Sequence, residues 1–315
     1  MITISITTII AGAVVVLLAI LGSLVNPFLR SLRFPETEGN ETEGNVTEGN
    51  EESGNKAELS QKENAEPVTI LITAHDNLPE LERNLPMFLN QQYAADYQVI
   101  VVSQSTDVDT IDFLKRTAAQ NPHLYYTYIP ESSRYMSRKK LQITLGVKAA
   151  KYEWIILTEP TCRPESNQWL AAMVQQFSTS THLVLGYVAF DDETKRIRRF
   201  ESIHRAFYLL RRAQHSYGYR THMPNVAFRK SDFMKEQGYQ GNLEYVRGEY
   251  DFLVNKYAHC GDTATELDCD AWLIREAPSN KSWHNAHLYL QASRKSLERA
   301  GSMRTLMFFD HLMPH

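Results

Sequence analysis

The chain has only three cysteines, Cys162, Cys260 and Cys269, and no CxxC pair. That sparse, odd count excludes a disulfide framework and a cysteine-based zinc site, and it fits a reducing compartment. The histidines are scattered and form no metal-ligand spacing; His284 and His287, three apart, are the nearest approach to one. No Lys or Arg precedes Arg30, so the basic start of a cleaved export signal is missing, and no small-residue cleavage site stands before Asn26. Long apolar runs are also missing, with a single exception at residues 2–25. The formal net charge is −4, and no nucleic-acid partner is expected.

The exception at residues 2–25 is uncharged and rich in Ile, Val, Leu and Ala. As a helix it would reach roughly 36 Å, enough for a hydrocarbon core of about 30 Å. Arg30 and Arg33 flank it on the C-terminal side alone, so the positive-inside rule places the bulk of the chain in the cytoplasm. The expectation is a single-pass anchor in the cell inner membrane. Residues 35–66 then carry ten Glu against two Lys and repeat a five-residue unit, TEGNE, TEGNV, TEGNE, ESGNK. With no apolar face and strong self-repulsion, this segment is expected to be a disordered acidic tether. Its Asn40-Glu41-Thr42 and Asn45-Val46-Thr47 triplets follow from the repeat unit and are read as accidental matches to a glycosylation pattern. With the tether set apart, the remainder is mildly basic, which suits phosphate-bearing ligands or an anionic lipid surface.

The folded part starts at Pro67. Val68 to Thr73 reads as a buried strand, Leu78 to Gln92 as a helix with Leu81, Leu85, Phe88 and Leu89 on one stripe, and Gln98 to Val102 as a second strand. A helix over 109–119, a strand over 124–129, a helix over 139–150 and a strand over 154–157 continue the alternation. Such a pattern predicts an α/β fold with a mostly parallel sheet and helices on both faces. Ligands of such sheets sit beyond the carboxyl ends of the strands, which selects the residues after Thr73, Val102, Ile129 and Thr158.

Several segments resemble the inverting, family-two glycosyltransferases of the GT-A fold, in the expected order. They are Thr69 to Leu89, GVKAAKYEWIILTEPTCRP from Gly146, PNVAFRKSDF from Pro224, GEYDFLVNKYA from Gly248, and Gln291-Ala-Ser-Arg294. The resemblance covers about 67–300 and implies a GT-A-like domain, with an apolar tail over 301–315. It implies transfer of a hexose, with inversion, from a nucleotide diphosphate sugar to a glycan or lipid-linked acceptor. It also places the donor near Ala74, His75, Asp76, Asn77, Ser103, Gln104, Gln291 and Arg294, and the acceptor near Asn225.

The same segments depart from that family's pattern. Where two aspartates hold a divalent cation, this chain has Glu159, Pro160 and Thr161, so Glu159 is left as a weak ligand for Mg²⁺ or Mn²⁺. Asn77 and Ser103-Gln104 replace acids that seat the nucleotide. In the Gly248 segment the base position reads Tyr250, so Asp251 is the first candidate for general base and Glu249 the second, because a tyrosine is neutral near pH 7. Asp251 equally suits a first-turn acid favoured by the helix dipole. Lys139 and Lys140 open a helix, where an anion such as a diphosphate is favoured, or else lie on a solvated face. The basic, apolar-striped stretch from Arg196 to Gln214 fits either a core helix or one facing lipid headgroups. Two functions therefore stand: a membrane-anchored glycosyltransferase, or a catalytically degenerate scaffold in a membrane polysaccharide or glycolipid assembly.

Overall fold

The computed structural model describes residues 6–25, 32–33, 65–131, 136–215, 218–294 and 296–297. The tether, apart from its last two residues, and the tail over 301–315 lie outside them. The chain divides into two units, Phe34–Glu298 and a second made of Met1–Arg33 with Arg299–His315.

In the second unit, helix α1 covers Ile6–Val25 and carries no charge. The side chains of Gly22–Val25 lie outside the described set, as do residues 2–5 of the expected span. Among the described residues no helix is long and apolar enough to cross a membrane.

In the larger unit the expected alternation is present. Strand β1 (Val68–Thr73) leads to α2 (Leu78–Leu89), β2 (Tyr97–Gln104), α3 (Val108–Gln120), β3 (Leu124–Ile129), α4 (Arg138–Ala149) and β4 (Trp154–Thr158). Every residue of β1 and β4 is buried, as strands covered on both faces must be. Odd and even residues of β1 serve different layers. Ile70 and Ile72 join Leu81, Leu85 and Phe88 of α2 in one core cluster. Leu71 faces the other way, onto Gly146 of α4. Asp107 and Ser137 start α3 and α4 by accepting the amides of Thr110 and Lys140, as short polar N-caps do.

Beyond β4 follow β5 (Cys162–Pro164), α5 (Trp169–Val174), β6 (Thr181–Gly186), β7 (Val188–Phe190), α6 (Arg196–His215), β8 (Val226–Arg229), α7 (Lys230–Lys235), α8 (Glu249–Tyr257), β9 (Asp262–Glu266), β10 (Leu273–Arg275) and α9 (Asn280–Arg294). The main sheet has the order β3-β2-β1-β4-β8-β6-β9, and β8 runs against its neighbours. A second sheet has the order β5-β10-β7, and of its strands β5 follows β4 directly in the chain. In it, β10 pairs Arg275 with Cys162, three residues past Glu159. The sequence reading stopped short of this second sheet, because three-residue strands give no periodicity to detect.

Gly146 shows how tightly α4 lies on the sheet. A Cβ there would stand 2.2 Å from Leu71 Cδ1, so the fully buried Leu71 side chain would have to shift. Alanine ordinarily stabilises a helix interior by about 1 kcal/mol over glycine, but overpacking costs about 1–3 kcal/mol. Gly146→Ala is therefore expected to lower the midpoint of chemical denaturation; a midpoint raised by the substitution would show that α4 is loosely seated.

Candidate functional site

Glu159 stands just past the carboxyl end of β4, and both of its oxygens are engaged. Lys139 Nζ, from the first turn of α4, donates to Oε1, and Arg275 Nη2, from the end of β10, donates to Oε2 at 3.0 Å. Burial alone would raise the pKa of this carboxyl, but Lys139 and Arg275 outweigh it and hold the group at about 2. Arg275 is raised above its ordinary value because Glu159 offsets its burial. Tyr250 completes the cluster. Lys139 Nζ lies 4.7 Å from its ring centroid, and burial followed by the Glu159 charge pushes its phenol far up.

Two cavities, each of about 460 Å³, meet at this cluster and share Lys139, Glu159, Arg247, Glu249 and Arg275. That volume lies within the range of small-molecule sites. The first cavity opens over the carboxyl ends of β1 and β2, reached by His75, Asn77, Gln104, Arg138 and Thr161. Arg138 Nη1 donates to Gln104 Oε1 at 2.8 Å, and Gln104 Nε2 lies 2.5 Å from His75 Nδ1, so the polar wall is prearranged. The second cavity lies toward α9 and is walled by Phe190, Trp283, Tyr289 and Leu290 together with His222 and Arg205. His222 is buried and accepts the Val188 amide at 3.1 Å; burial lowers its pKa to about 3, so it stays neutral at pH 7.

Gly248 aims the acid between the cavities. Its φ of 92° is left-handed, and a Cβ there would press on Phe252 and Ser293 at 3.1 Å. The sharp turn opens α8 with Glu249, whose buried carboxylate lines both cavities. Asp251 is placed differently. Its Oδ2 accepts Arg220 Nη2 at 2.7 Å, Arg220 Nε at 3.1 Å and Ser293 Oγ at 3.2 Å, all buried. Burial would lower the pKa of Arg220, but Asp251 raises it instead. Asp251 thus lines only the α9-side cavity and is committed to an ion pair.

The remaining sequence candidates divide in the same way. His75, Asn77 and Gln104 reach the first cavity, whereas Asp76, at φ 53°, points outward and is largely exposed. Ala74 is a core residue whose carbonyl accepts Gln142 Nε2 at 2.7 Å, and Ser103 is fully buried away from the cavity. Lys140 is fully buried too; its ammonium donates to the carbonyls of Asn242 and Tyr245 and lies 4.9 Å from the Phe252 ring centroid. Its neighbour Lys139 is the lysine that faces the ligand space. Asn225 is buried between the sheets, donating to the carbonyls of Tyr187 at 3.1 Å and Ala271 at 3.2 Å, and lines neither cavity. The side chains of Gln291 and Arg294 lie outside the described residues. Arg247 and Arg275 were missed by sequence reading. Arg247 stands beside the Gly248 turn, which was a signal; Arg275 had none.

A divalent cation does not suit these residues. Hard cations take six or more oxygens, among them carboxylates. Here two carboxylates line the shared wall, Glu159 and Glu249, and both oxygens of Glu159 already face cationic side chains. Among the described residues no three His, Cys, Asp or Glu groups converge to hold a metal.

The family model of glycosyl transferase family 21 matches residues 46–219. The chain belongs to that family. The expected relationship to GT-A glycosyltransferases holds, with family 21 as the matching family. Its match ends before Glu249 and Arg275. No curated protein matches the chain. Among solved structures, the mannosyltransferase PcManGT from Pyrobaculum calidifontis, in complex with GDP-Man and Mn²⁺, aligns with a TM-score of 0.57 and 17% identity, over 75% of this chain and 66% of that one. S. aureus TarS 1-349, in complex with UDP-GlcNAc, aligns with a TM-score of 0.51 and 10% identity, over 69% and 60%. At these identities the likeness establishes the fold, and the chain spans about two thirds or less of each neighbour's length.

The ion cluster of this family 21 domain has a pH consequence. A carboxyl held at about 2, against an ordinary value near 4.5, adds stability that is complete above pH 4.5 and is lost as pH falls toward 2. Wild type should therefore lose stability more steeply than Glu159→Gln across that window in acid titrations followed by circular dichroism. Parallel curves would mean that Lys139 and Arg275 do not hold the carboxylate in solution.

Proposed function

We propose that the chain is a membrane-anchored glycosyltransferase that moves a sugar from a nucleotide diphosphate sugar to a glycan or lipid-linked acceptor with inversion. The observation that carries this reading is the meeting of two cavities at Glu249. One is polar and basic and lies over the parallel strands; the other is aromatic-walled. A donor diphosphate suits the first, and the ring faces of Trp283 and Tyr289 suit a sugar or apolar acceptor in the second. PcManGT with GDP-Man and TarS with UDP-GlcNAc lend the donor class by analogy of fold.

In this reading Glu249 is the general base. Its carboxylate accepts the proton of the acceptor hydroxyl while that oxygen bonds to the anomeric carbon. The bond from that carbon to the diphosphate breaks on the opposite side, and its electron pair leaves with the phosphate oxygen. Asp251, tied to Arg220, holds the α8–α9 wall. A degenerate, non-catalytic scaffold is the second reading, favoured by the full occupation of Glu159 by cations. Panel turnover of nucleotide sugars by full-length protein decides between them. Glu249→Gln is expected to lower turnover by about 10² or more with little change in donor binding, the usual weight of a positioned base. An unchanged rate would remove Glu249 from the role, and a wild type that neither binds nor turns over any donor would favour the scaffold.

Location is part of the same proposal. The uncharged sequence run over residues 2–25, flanked by Arg30 and Arg33, supports a single-pass span of the inner membrane with the domain in the cytoplasm. Ile197, Phe200 and Ile203 are exposed in the first half of α6, N-terminal to its buried Ala206, Leu209, Leu210 and Ala213, and follow exposed Lys195 and Arg196. An apolar strip with basic neighbours suits an anionic lipid surface. Protease added outside intact spheroplasts should leave the domain whole, and its degradation there would reverse the orientation.

A further inference from the structure

The first cavity carries four basic side chains, Arg138, Lys139, Arg247 and Arg275, against two acidic ones, Glu159 and Glu249. Its lining is therefore doubly positive. That is the charge of a divalent cation, here distributed over side chains around Glu159, whose two oxygens already accept from Lys139 and Arg275. Lys139 and Arg275 are partly exposed, at 27% and 28% of their side chains, while Glu159 beneath them is at 14%. The cations present more of themselves to the cavity than the acid does. The N-terminus of α4 adds to them, since Ser137, Arg138 and Lys139 all line the same space. Thr161, at the position of a second acid, also lines this cavity.

We propose that Lys139 and Arg275 bind the diphosphate of the donor directly and take the electrostatic place of a divalent cation. This rests on the donor class proposed above. A nucleoside diphosphate sugar carries two negative charges on its diphosphate near pH 7, matching the lining. When the bond to the anomeric carbon breaks, the leaving nucleoside diphosphate gains one more negative charge. An ammonium and a guanidinium already fixed beside it meet that charge without rearrangement, the condition under which preorganised charges act best. The guanidinium fork offers paired donors to phosphate oxygens, and lysine offers a compact charge. Glu159 is then a positioning residue. It holds both cations in place, and because it lies beneath them it need not contact the diphosphate. Cleavage balances without a metal: the acceptor oxygen bonds to the anomeric carbon, the proton goes to Glu249, and the electron pair goes to the terminal phosphate oxygen.

The test is calorimetric titration of the full-length protein in detergent with UDP and with GDP, in excess EDTA and again in Mn²⁺. At least one nucleotide is expected to bind in EDTA with a Kd within about threefold of that in Mn²⁺. Lys139→Met and Arg275→Gln should each weaken that metal-free binding by about tenfold or more, the scale of a charge-assisted hydrogen bond. Glu159→Gln should change it by less than about threefold, because the amide oxygen can still accept from one of the two cations while one negative charge is removed from beside the ligand. Circular dichroism verifies the fold of each variant; if Arg275→Gln does not fold, the Lys139 and Glu159 variants decide. Binding that appears only with Mn²⁺, or that Glu159→Gln reduces tenfold, would overturn this inference and leave the donor class standing. Absence of binding by either nucleotide in both conditions would overturn this inference and remove the support for the donor class as well.

Discussion

The carboxylate of Glu159, held between an ammonium and a guanidinium, is the contact on which the site depends. Lys139 comes from the first turn of α4, Arg275 from the last residue of β10, and Glu159 from the end of β4. One acid thus ties the main sheet, a helix on its face and the small second sheet into a single corner. The pairing is half-sheltered, where removal of one partner leaves charge without compensation and costs more than an exposed pair would. Its cost is justified by its position: the same three side chains form the wall shared by both cavities.

Around that corner, charges that look alike in the sequence are put to different uses. Lys139 and Lys140 are adjacent, yet one faces ligand space and the other is sealed among Tyr239, Tyr245 and Phe252, anchoring the carbonyls of Asn242 and Tyr245. Glu249 and Asp251 are two apart on α8, yet one stands between the cavities and the other is consumed by Arg220 and Ser293. In each pair the helix turns the two side chains in different directions, about 100° per residue, so one reaches the cleft and one the protein. The member bonded within the protein stiffens the wall that the cleft-lining member uses.

The alternation of strands and helices from Val68 to Thr158 was legible in the sequence, because period and composition are local properties. Strand and helix limits agree within a few residues, and Asn77, Gln104 and Glu159 do gather at one edge of the sheet. Ser103, next to Gln104, belongs to the opposite face, as the twofold alternation of a strand requires. The small sheet stayed hidden, since Cys162–Pro164, Val188–Phe190 and Leu273–Arg275 are each too short to show a period.

By itself, then, the sequence determined a mostly parallel α/β sheet, the edge at which its polar loop residues gather and the single acid at the end of β4. These follow from which residues shun water and at what spacing. Only the tertiary structure decided what that acid does. Arg275 lies 116 residues from Glu159, and Arg220 lies 31 from Asp251. Each arrives through strand pairing or helix packing that no local pattern specifies. A charge acquires its role from the charges brought against it, and that is a property of the folded chain.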